Sequence, residues 1–220
     1  GKRNGSPRTL SPPPSAKLRA SSLKCSSSVK IAMATPIGTA MALQGDDWVF
    51  PALREGATAL YRGYRLSHYV AQCIGNDHDV QKGRQMPCHW GHAPTHIVSQ
   101  SSATGSQCLP AVGSAEATRY IQGRSLPGCH AYGDEITYVS LGEGATSEGE
   151  FWEALNSACR LHLPVLFVVE DNGYAISVRS EDQSPAPISE MVRGFRGLAI
   201  TKIDGRDYFE ARRLGARAVA

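Results

Sequence analysis

The sequence has no long apolar run, and its six cysteines include no C-x-x-C pair. The longest apolar stretch, residues 163–169, is far shorter than the roughly 20 residues that a membrane-spanning helix needs, so we expect no membrane segment. Scattered cysteines predict neither a zinc ribbon nor a dense disulfide framework, and they favour a reducing compartment.

Acidic residues are missing from the first 45 positions, which hold seven Lys or Arg. All 20 Asp and Glu follow, together with 16 of the 23 basic residues, so residues 46–220 are acidic and predict no nucleic-acid surface. Residues 1–38 are rich in Ser, Pro and basic side chains, a composition that cannot bury a core. We therefore expect a disordered tail over 1–38, either a translation remnant or a transit peptide, and one domain over 39–220.

The apolar pattern predicts a doubly wound α/β fold, with a mainly parallel sheet and helices on both faces. Residues 136–141, ITYVSL, are β-branched and aromatic and predict a buried strand. A helix over 148–161 follows, and the continuously apolar residues 163–171 predict a parallel strand covered on both faces. This βαβ unit is right-handed by default. Residues 198–205 predict a third strand, followed by a helix, so we expect the chain to stop within the fold.

Further helices are predicted within 47–76, as a pair or one broken helix, and over 106–123. The polar segment 77–105 between them is too long for a plain connector, and loops of that length tend to be functional. Ser147 and Glu150 have the S-x-x-E spacing of a capping box at the start of the 148–161 helix.

A carboxylate stands between two glycines in the turn Gly142-Glu143-Gly144, directly after the first strand of the βαβ unit. The turn after the second strand contains Asn172 and Tyr174. Because ligands of α/β sheets bind beyond the carboxyl ends of the strands, we expect the two turns to be spatial neighbours. Carboxylate, amide and carbonyl oxygens suit Mg²⁺, which characteristically shares its coordination with phosphate oxygens. The pattern therefore predicts a metal that joins Glu143 to a phosphate-bearing ligand.

Two other interpretations compete for the turn that contains Glu143, and a further one concerns the 77–105 loop. A dinucleotide fingerprint needs a third glycine where Ser147 stands, and its ribose-binding acid should follow about 20 residues on. A tight turn with a solvent-facing Glu143 is the plain structural alternative. In the 77–105 loop, Cys88, His89, His92 and His96 have a C-H-x2-H-x3-H spacing that zinc or copper could use, although loop packing is the default interpretation.

The segment GEGATSEGEFWEALNSACRLHLPVLFVVEDNGYAIS resembles the thiamine diphosphate motif of 2-oxo acid dehydrogenase E1 α subunits. The resemblance extends over WVFPALREG, GNDHDVQKGRQMPCHWG, VSQSSATGSQCLPAVGSAEA and LAITKIDGRD, and so covers roughly residues 40–220. Within that family, KGRQMPCHWG and DNGYAIS are most similar to the branched-chain 2-oxo acid dehydrogenase type.

The resemblance implies thiamine diphosphate and Mg²⁺ as cofactors, and a K⁺-type site. His89 is a candidate catalytic residue that could point into the active-site funnel. The implied Mg²⁺ ligands are Glu143, Asn172 and the carbonyl of Tyr174, and the K⁺-type positions are Ser101, Ser106 and Gln107. The implied cofactor-binding residues are Arg54, Ser101, Ser102, Thr104, Gly142, Glu143, Gly144, Ala145, Asn172 and Tyr174.

The resemblance further implies the cofactor-binding α-type portion of an oxidoreductase. It decarboxylates a branched-chain 2-oxo acid on thiamine diphosphate and passes the acyl group to the lipoyl group of E2. The implied partners are an E1 β subunit or domain, in an α2β2-type assembly, and a lipoylated E2. Alternatives are a pyruvate or acetoin dehydrogenase α subunit, or a truncated binding-only fragment without turnover. We expect a bacterial cytoplasmic location, or the mitochondrial matrix if the basic tail is a transit peptide.

Two positions depart from the branched-chain pattern. Thr104 stands where that branch usually has Leu, a bulky residue that wedges the cofactor into its bent conformation. Glu170 replaces an Arg that often contacts the diphosphate, although pyruvate-type relatives also carry Glu there.

Overall fold

The computed structural model describes residues 17–21, 28–122, 124, 126–129, 131 and 133–219, with side chains from residue 34 onward. The strands of this part are β1 Lys17–Ser21, β2 Trp48–Phe50, β3 Thr137–Gly142, β4 Val165–Glu170, β5 Tyr174–Ala175 and β6 Val178–Arg179. Its α-helices are α1 Ser28–Ala40, α2 Gly56–Tyr61, α3 Leu66–Cys73, α4 Cys108–Ile121, α5 Gly149–Leu161, α6 Ser180–Gln183, α7 Ile188–Met191 and α8 Tyr208–Val219.

Four parallel strands form the main sheet, in the order β1-β4-β3-β2. β3 and β4 are in register to their last residues, so that Gly142 lies beside Glu170. The turns that follow these two strands therefore start from the same edge of the sheet. β5 and β6 form a separate antiparallel hairpin directly after β4.

Helices cover both faces of the sheet, which confirms the predicted α/β class. On one face α4 and α5 pack against alternate residues of β3 and β4, with Phe151 and Phe167 at the centre of this layer. On the other face Tyr138 and Leu166 pack among Trp90, Tyr64 and α8. β3 and β4 are buried on both sides along nearly their whole length, which explains their continuously apolar sequences.

Helix α5 follows the prediction, but its N-terminal cap does not. Phe151 and Leu155 are fully buried on its inner face. The N-cap residue is Glu148, and no side chain caps the helix, so the predicted capping box is wrong. Ser147 is engaged elsewhere, because its hydroxyl accepts a hydrogen bond of 2.8 Å from Nε2 of Gln183.

The predicted third strand over 198–205 is also wrong, because these residues lie outside any strand. The outer edge of β4 pairs instead with β1, which runs parallel to the last five residues of β4, Leu166 to Glu170. The 198–205 segment packs on the helices instead, with Leu198 and Ile200 against the α4–α5 layer.

Two elements lie within the first 38 residues, for which we predicted a disordered tail. β1 belongs to the sheet, and α1 continues past the predicted boundary at residue 38 to Ala40. Thr35 of α1 is fully buried, and its hydroxyl donates a hydrogen bond of 3.1 Å to the carbonyl of Gly205. Residues 1–16 and 22–27 of the predicted tail lie outside the described residues.

Within the described part of the chain, none of the helices combines the length and apolarity that crossing a bilayer needs. Five of the six cysteines fall in this part, and all five are free thiols. Cys108 and Cys159 are buried between α4 and α5, where they act as small apolar side chains. Cys25 lies outside the described residues.

Candidate functional site

A cavity of about 610 Å³ lies at the carboxyl ends of β3 and β4. All ten residues predicted to contact a cofactor line it, although they come from four separate segments of the chain. Their role in binding stays a prediction, while their convergence on one cavity is a property of the fold. They are Arg54, Ser101, Ser102, Thr104, Gly142, Glu143, Gly144, Ala145, Asn172 and Tyr174.

The first wall of this cavity is the turn after β3, which continues as a 3-10 turn over Glu143–Ser147. Thr146 holds the turn closed, because its hydroxyl donates a hydrogen bond of 2.6 Å to the carbonyl of Glu143. The Glu143 side chain is only 7% exposed, and its Oε1 accepts a hydrogen bond of 3.2 Å from the Ser180 hydroxyl. The plain alternative of a solvent-facing Glu143 is therefore wrong.

The second wall is the turn after β4, which is built from local side-chain-to-backbone hydrogen bonds. Asp171 Oδ1 accepts from the N–H of Gly173 at 3.0 Å, and Asn172 Oδ1 accepts from the N–H of Tyr174 at 3.0 Å. Gly173 has φ +83°, which the tight turn requires and which glycine adopts without steric cost. The hairpin of β5 and β6 then leads away from the sheet.

The two turns are in contact, as the sequence predicted. A Cβ atom at Gly144 would lie 2.5 Å from the Cβ of Ala175, so only glycine permits this approach. Burial raises the pKa of Glu143, and the nearby Asp171 carboxylate raises it further, while backbone N–H groups of Asn172 and Tyr174 lower it. Glu143 therefore faces both residues with which it was expected to share a metal.

The chemistry of this donor set fits a hard divalent cation. It offers one buried carboxylate, an amide oxygen and backbone carbonyls, which are the ligands that Mg²⁺ and Ca²⁺ prefer. A bound cation offsets the cost of burying the Glu143 charge. Among the described residues, no three His, Cys, Asp or Glu side chains cluster as a metal site.

The zinc or copper alternative in the 77–105 loop is not supported, because its imidazoles have separate partners. His92 Nδ1 bonds the Thr95 hydroxyl at 2.8 Å, and His96 Nδ1 bonds the carbonyl of Asp46 at 3.0 Å. His89 bonds Pro87 and Ser102. The loop histidines serve mainly to pack and tie the loop.

His89 does not line the cavity, contrary to the hypothesis that it points into the active-site funnel. It is 8% exposed, and its Nε2 lies 2.7 Å from the hydroxyl oxygen of Ser102, which does line the cavity. His89 therefore reaches the site only through Ser102.

Only two of the three residues of the predicted K⁺-type site line the cavity. Ser101 and Gln107 line the cavity, but Ser106 does not. The Ser106 hydroxyl donates to the carbonyl of Ala103 at 2.7 Å, and the Gln107 amide donates to the carbonyl of Ser140 at 2.8 Å. These side chains hold the 103–107 turn against β3.

Two adjacent carboxyl groups, the buried Glu55 and the half-buried Glu170, also line the cavity. The sequence analysis named Glu170 only as a departure from the branched-chain pattern and missed its pairing with Glu55. The Tyr138 hydroxyl donates a hydrogen bond of 3.1 Å to Oε1 of Glu55. Burial raises the pKa of Glu55 to about 7, and it raises the pKa of Glu170 well above its usual range, with the Glu55 charge adding to the effect. A glutamate that ends a continuously apolar strand was the available signal for Glu170.

A second cavity of about 650 Å³ lies on the outer side of the two turns. Glu143 and Tyr174 line both cavities, so they form the partition between them. Other residues of the two turns, α6 and the following 184–188 segment complete its lining. Arg179 and Glu181 form an exposed ion pair at 3.2 Å on this side.

Comparison with known proteins identifies the family to which this sequence is similar. Residues 21–218 match the family described as "Dehydrogenase E1 component". The chain is 38% identical over 194 residues to "2-oxoisovalerate dehydrogenase subunit alpha, mitochondrial" of Homo sapiens, which covers 84% of this chain and 40% of the relative. It is 35% identical over 171 residues to the protein of the same name from Caenorhabditis elegans, covering 78% of this chain and 38% of the relative.

A plant relative is similar to the chain to about the same extent. The "2-oxoisovalerate dehydrogenase subunit alpha 2, mitochondrial" of Arabidopsis thaliana is 36% identical over 172 residues, which covers 78% of this chain and 34% of the relative. The chain thus spans about two fifths of the length of the curated relatives that it matches. With a family match over residues 21–218, the chain belongs to the dehydrogenase E1 component family.

Proposed function

We propose that this chain is the cofactor-binding α-type portion of a 2-oxo acid dehydrogenase E1, and that its cavity binds thiamine diphosphate through Mg²⁺. The observation that carries the proposal is the contact between the two turns, which brings Glu143 to Asn172 and Tyr174 beside one cavity. In this proposal Glu143, the Asn172 side chain and the Tyr174 carbonyl hold the metal.

The charges around the cavity support a metal-bridged anion. Glu143, Glu170 and Glu55 line it, and an unaccompanied diphosphate would meet several carboxyl groups. A divalent cation at Glu143 offsets that repulsion, and the raised pKa values of Glu55 and Glu170 keep those groups protonated to a higher pH. Arg54 is exposed on the same cavity, where its guanidinium can pair with phosphate oxygens.

In this proposal the protein and the cofactor have different roles in the reaction. Thiamine diphosphate supplies the carbanion chemistry needed to decarboxylate a 2-oxo acid, whereas the chain binds and orients the cofactor. Glu143 and Arg54 would fix the diphosphate end, and Ser101, Ser102 and Thr104 line the same cavity, where they would contact the rest of the cofactor. We also propose that Ser101, Ser106 and Gln107 contribute to a K⁺-type site, since two of them line the cavity and all three lie in or beside the 103–107 turn.

We further propose a branched-chain 2-oxo acid as the substrate, because three relatives from animals and a plant are named 2-oxoisovalerate dehydrogenases. The partners proposed are an E1 β subunit or domain, in an α2β2-type assembly, and a lipoylated E2 that accepts the acyl group. The relatives' names place them in mitochondria, so the mitochondrial matrix is a stronger proposal than the bacterial cytoplasm.

Decarboxylation assays test the proposal. The chain is assayed with thiamine diphosphate and Mg²⁺ on 2-oxoisovalerate and on pyruvate, with and without a β-type subunit. We expect turnover only with the β subunit, and faster turnover of 2-oxoisovalerate. A preference for pyruvate would favour the pyruvate dehydrogenase alternative. Calorimetry that detects no Mg²⁺-dependent thiamine diphosphate binding, even with the partner, would overturn the cofactor assignment.

A further inference from the structure

We propose that Cys73 and Cys88 are a redox pair, which a small-molecule disulfide such as glutathione disulfide oxidises to a reversible disulfide within the chain. The new bond draws the 86–89 turn away from the cavity wall. Neither cysteine lines the cavity, so the pair acts on it from outside. The disulfide is independent of the proposed function, whereas its effect on cofactor binding rests on that function.

One half-buried side chain, Tyr69, lies beside both thiols. Tyr69 and Cys73 are four residues apart on α3, so their side chains share one face of the helix. The Tyr69 hydroxyl interacts with the Cys88 thiol through a side-chain hydrogen bond. Burial raises the pKa of Tyr69, and the charges of Cys88 and Cys73 raise it further. The two sulfurs therefore lie on the same side of α3.

The backbone also holds the two cysteines on adjacent segments. Gln72, which directly precedes Cys73, is buried, and its Nε2 donates a hydrogen bond of 2.5 Å to the carbonyl of Met86. Its Oε1 accepts one of 3.0 Å from the N–H of Cys88. One amide thus ties the end of α3 to both sides of the turn that contains Cys88.

The segment between the cysteines, residues 74–87, is folded back on itself. The N–H of Asn76 donates to the carbonyl of Ala71 at 3.2 Å, which closes the end of α3. Gly83 passes so near the carbonyl of Gly75 that a Cβ atom would not fit there. A disulfide needs its two Cα atoms within about 7 Å of each other. Folding has already brought the ends of this loop together, so little chain entropy opposes the bond.

The two thiols differ in exposure, which sets the order in which they react. Cys73 is exposed, whereas Cys88 is half-buried. Burial raises the pKa of Cys73, and the charge of Cys88 raises it further, so the thiol form is favoured. Because the thiolate is the reactive form, the pair stays reduced until an oxidant is present.

Oxidation proceeds by two thiol–disulfide exchanges. The Cys73 thiolate attacks glutathione disulfide, which forms a mixed disulfide and releases one glutathione thiolate. The Cys88 thiolate then attacks the Cys73 sulfur and releases the second glutathione thiolate. Two protein thiols are oxidised, one glutathione disulfide is reduced to two molecules of glutathione, and the two thiol protons pass through solvent to the released thiolates.

The new bond acts on the cavity through the residue that follows Cys88. His89 Nε2 lies 2.7 Å from the hydroxyl oxygen of Ser102, which lines the cavity. An S–S bond of about 2.05 Å requires the Cys88 sulfur to leave Tyr69 for Cys73. Cys88 has φ +68°, which side chains other than glycine seldom adopt, so contacts with α3 hold the turn. His89 moves when these contacts are replaced, and the wall loses its support.

Peptide mapping tests the disulfide itself. The full chain is incubated with glutathione disulfide at pH 8.5, its remaining thiols are alkylated, and it is digested with trypsin without reduction. Trypsin cleaves after Lys82 and Arg84, between the two cysteines, so the disulfide joins two peptides that separate on reduction. We expect this joined pair as the main product. Separate glutathione adducts on Cys73 and Cys88, with no bond between them, would overturn the proposal.

Three serine variants provide the controls. Cys73→Ser and Cys88→Ser should each abolish the joined peptides and leave the other cysteine as a glutathione adduct. Cys129→Ser removes another exposed thiol, on the segment between α4 and β3, and should leave the joined peptides unchanged. Loss of the joined peptides in Cys129→Ser would show that the bond involves a different pair.

Calorimetry with thiamine diphosphate and Mg²⁺ tests the effect on the cavity, in the full chain assembled with a β-type subunit. The oxidised protein should bind at least about threefold more weakly, as expected for the loss of about one hydrogen bond in the wall. Reduction should restore the affinity, and Cys73→Ser should not respond to the oxidant. An unchanged affinity in the disulfide form would overturn the switch. If the reduced protein does not bind thiamine diphosphate, the proposed function fails, and the peptide map still decides the disulfide.

Discussion

The two turns that form the candidate metal site are built in opposite ways. The turn after β3 is buried, with Glu143 7% and Thr146 4% exposed, and it leads directly into a helix packed on the core. The hairpin after β4 is exposed, with Tyr174 52% exposed and Ile176 fully exposed in the left-handed region at φ +58°. The sheet places the first turn, whereas local hydrogen bonds of Asp171 and Asn172 shape the second.

This difference indicates how the site works. A metal-coordinating side chain on a buried turn does not have to become ordered when the metal binds, because packing already fixes its position. The exposed hairpin has few buried apolar contacts, which is typical of the less stable parts of a fold. We therefore expect Glu143 to set the position of the metal and the hairpin to adjust to it. The following experiments change one of the two turns, their contact, or the buried Glu55 that lines the same cavity.

Glu143→Ala should have the largest effect. Mutating partners of metal ligands commonly costs 10–100-fold in affinity, so removing a carboxylate ligand should weaken Mg²⁺-dependent cofactor binding by at least about 100-fold. Asp171→Asn is the matched control. It removes a nearby charge but keeps the oxygen that accepts from the N–H of Gly173. Calorimetry that finds equal losses in both variants would show that general charge, and not ligation by Glu143, governs binding.

The free energy of unfolding should fall as the pH rises, because the Glu55 carboxyl group is buried where it lines the cavity. Its pKa rises from 4.5 to about 7 on folding, since burial disfavours the charged form. Below pH 4.5 the Glu55 carboxyl group is protonated in both the folded and the unfolded state. As the pH rises through the folded pKa of about 7, the buried group becomes charged, and the stabilisation present at low pH is lost. The loss is on the order of 3 kcal/mol by pH 8, and Glu170 acts in the same direction.

Glu55→Gln should remove most of this dependence, because an amide does not ionise. Urea unfolding at pH 5 and pH 8 measures it as the difference between the two free energies of unfolding. Equal pH dependence in the wild type and in Glu55→Gln would contradict the assignment of this carboxyl group.

Gly144→Ala tests the contact between the turns. The new Cβ atom would meet the Cβ of Ala175 at 2.5 Å, so the hairpin must move, at a cost of about 1–3 kcal/mol. Gly149→Ala is the control, since its Cβ meets nothing within 4 Å and alanine favours the first turn of α5. We expect thermal denaturation to show a lower Tm for Gly144→Ala only. A neutral Gly144→Ala would mean that the hairpin moves freely.

Ile176→Gly should have the smallest effect and the opposite sign. A β-branched residue at φ +58° costs roughly 1–2 kcal/mol, which glycine avoids, so the variant should be about 1 kcal/mol more stable. Val178→Gly is the control, because Val178 lies in β6 of the same hairpin and glycine weakens a strand. Denaturant unfolding should move the two variants in opposite directions. A destabilised Ile176→Gly would indicate that this side chain makes contacts that stabilise the hairpin.

The sequence predicted the parts of the fold that depend on local patterns. The apolar runs of β3 and β4 and the periodicity of α5 identified the βαβ unit, and the shared sheet edge then placed Glu143 beside Asn172. Pairing between distant segments was not visible. The pairing of β1 with β4 joins segments that lie far apart in the sequence, so no local pattern indicates it.

The site was predicted from the sequence to a similar extent. All ten cofactor positions that the family resemblance implied line one cavity, whereas strand-end reasoning alone pointed only to Glu143 and the turn with Asn172 and Tyr174. The Glu55–Glu170 pair was missed because no motif links residues on β4 and on the loop after β2. The placement of His89 was also missed, because the turn that holds it depends on Gln72 of α3.

The position of the metal itself tests the central claim most directly. Crystals of the chain, assembled with its β-type partner and thiamine diphosphate, can be grown with Mn²⁺ in place of Mg²⁺ and measured at the manganese absorption edge. The account predicts one anomalous peak about 2.0–2.2 Å from oxygens of Glu143, Asn172 and the Tyr174 carbonyl. A peak bound to Asp171 or Glu181 in the outer cavity, with Glu143 free of metal, would contradict it.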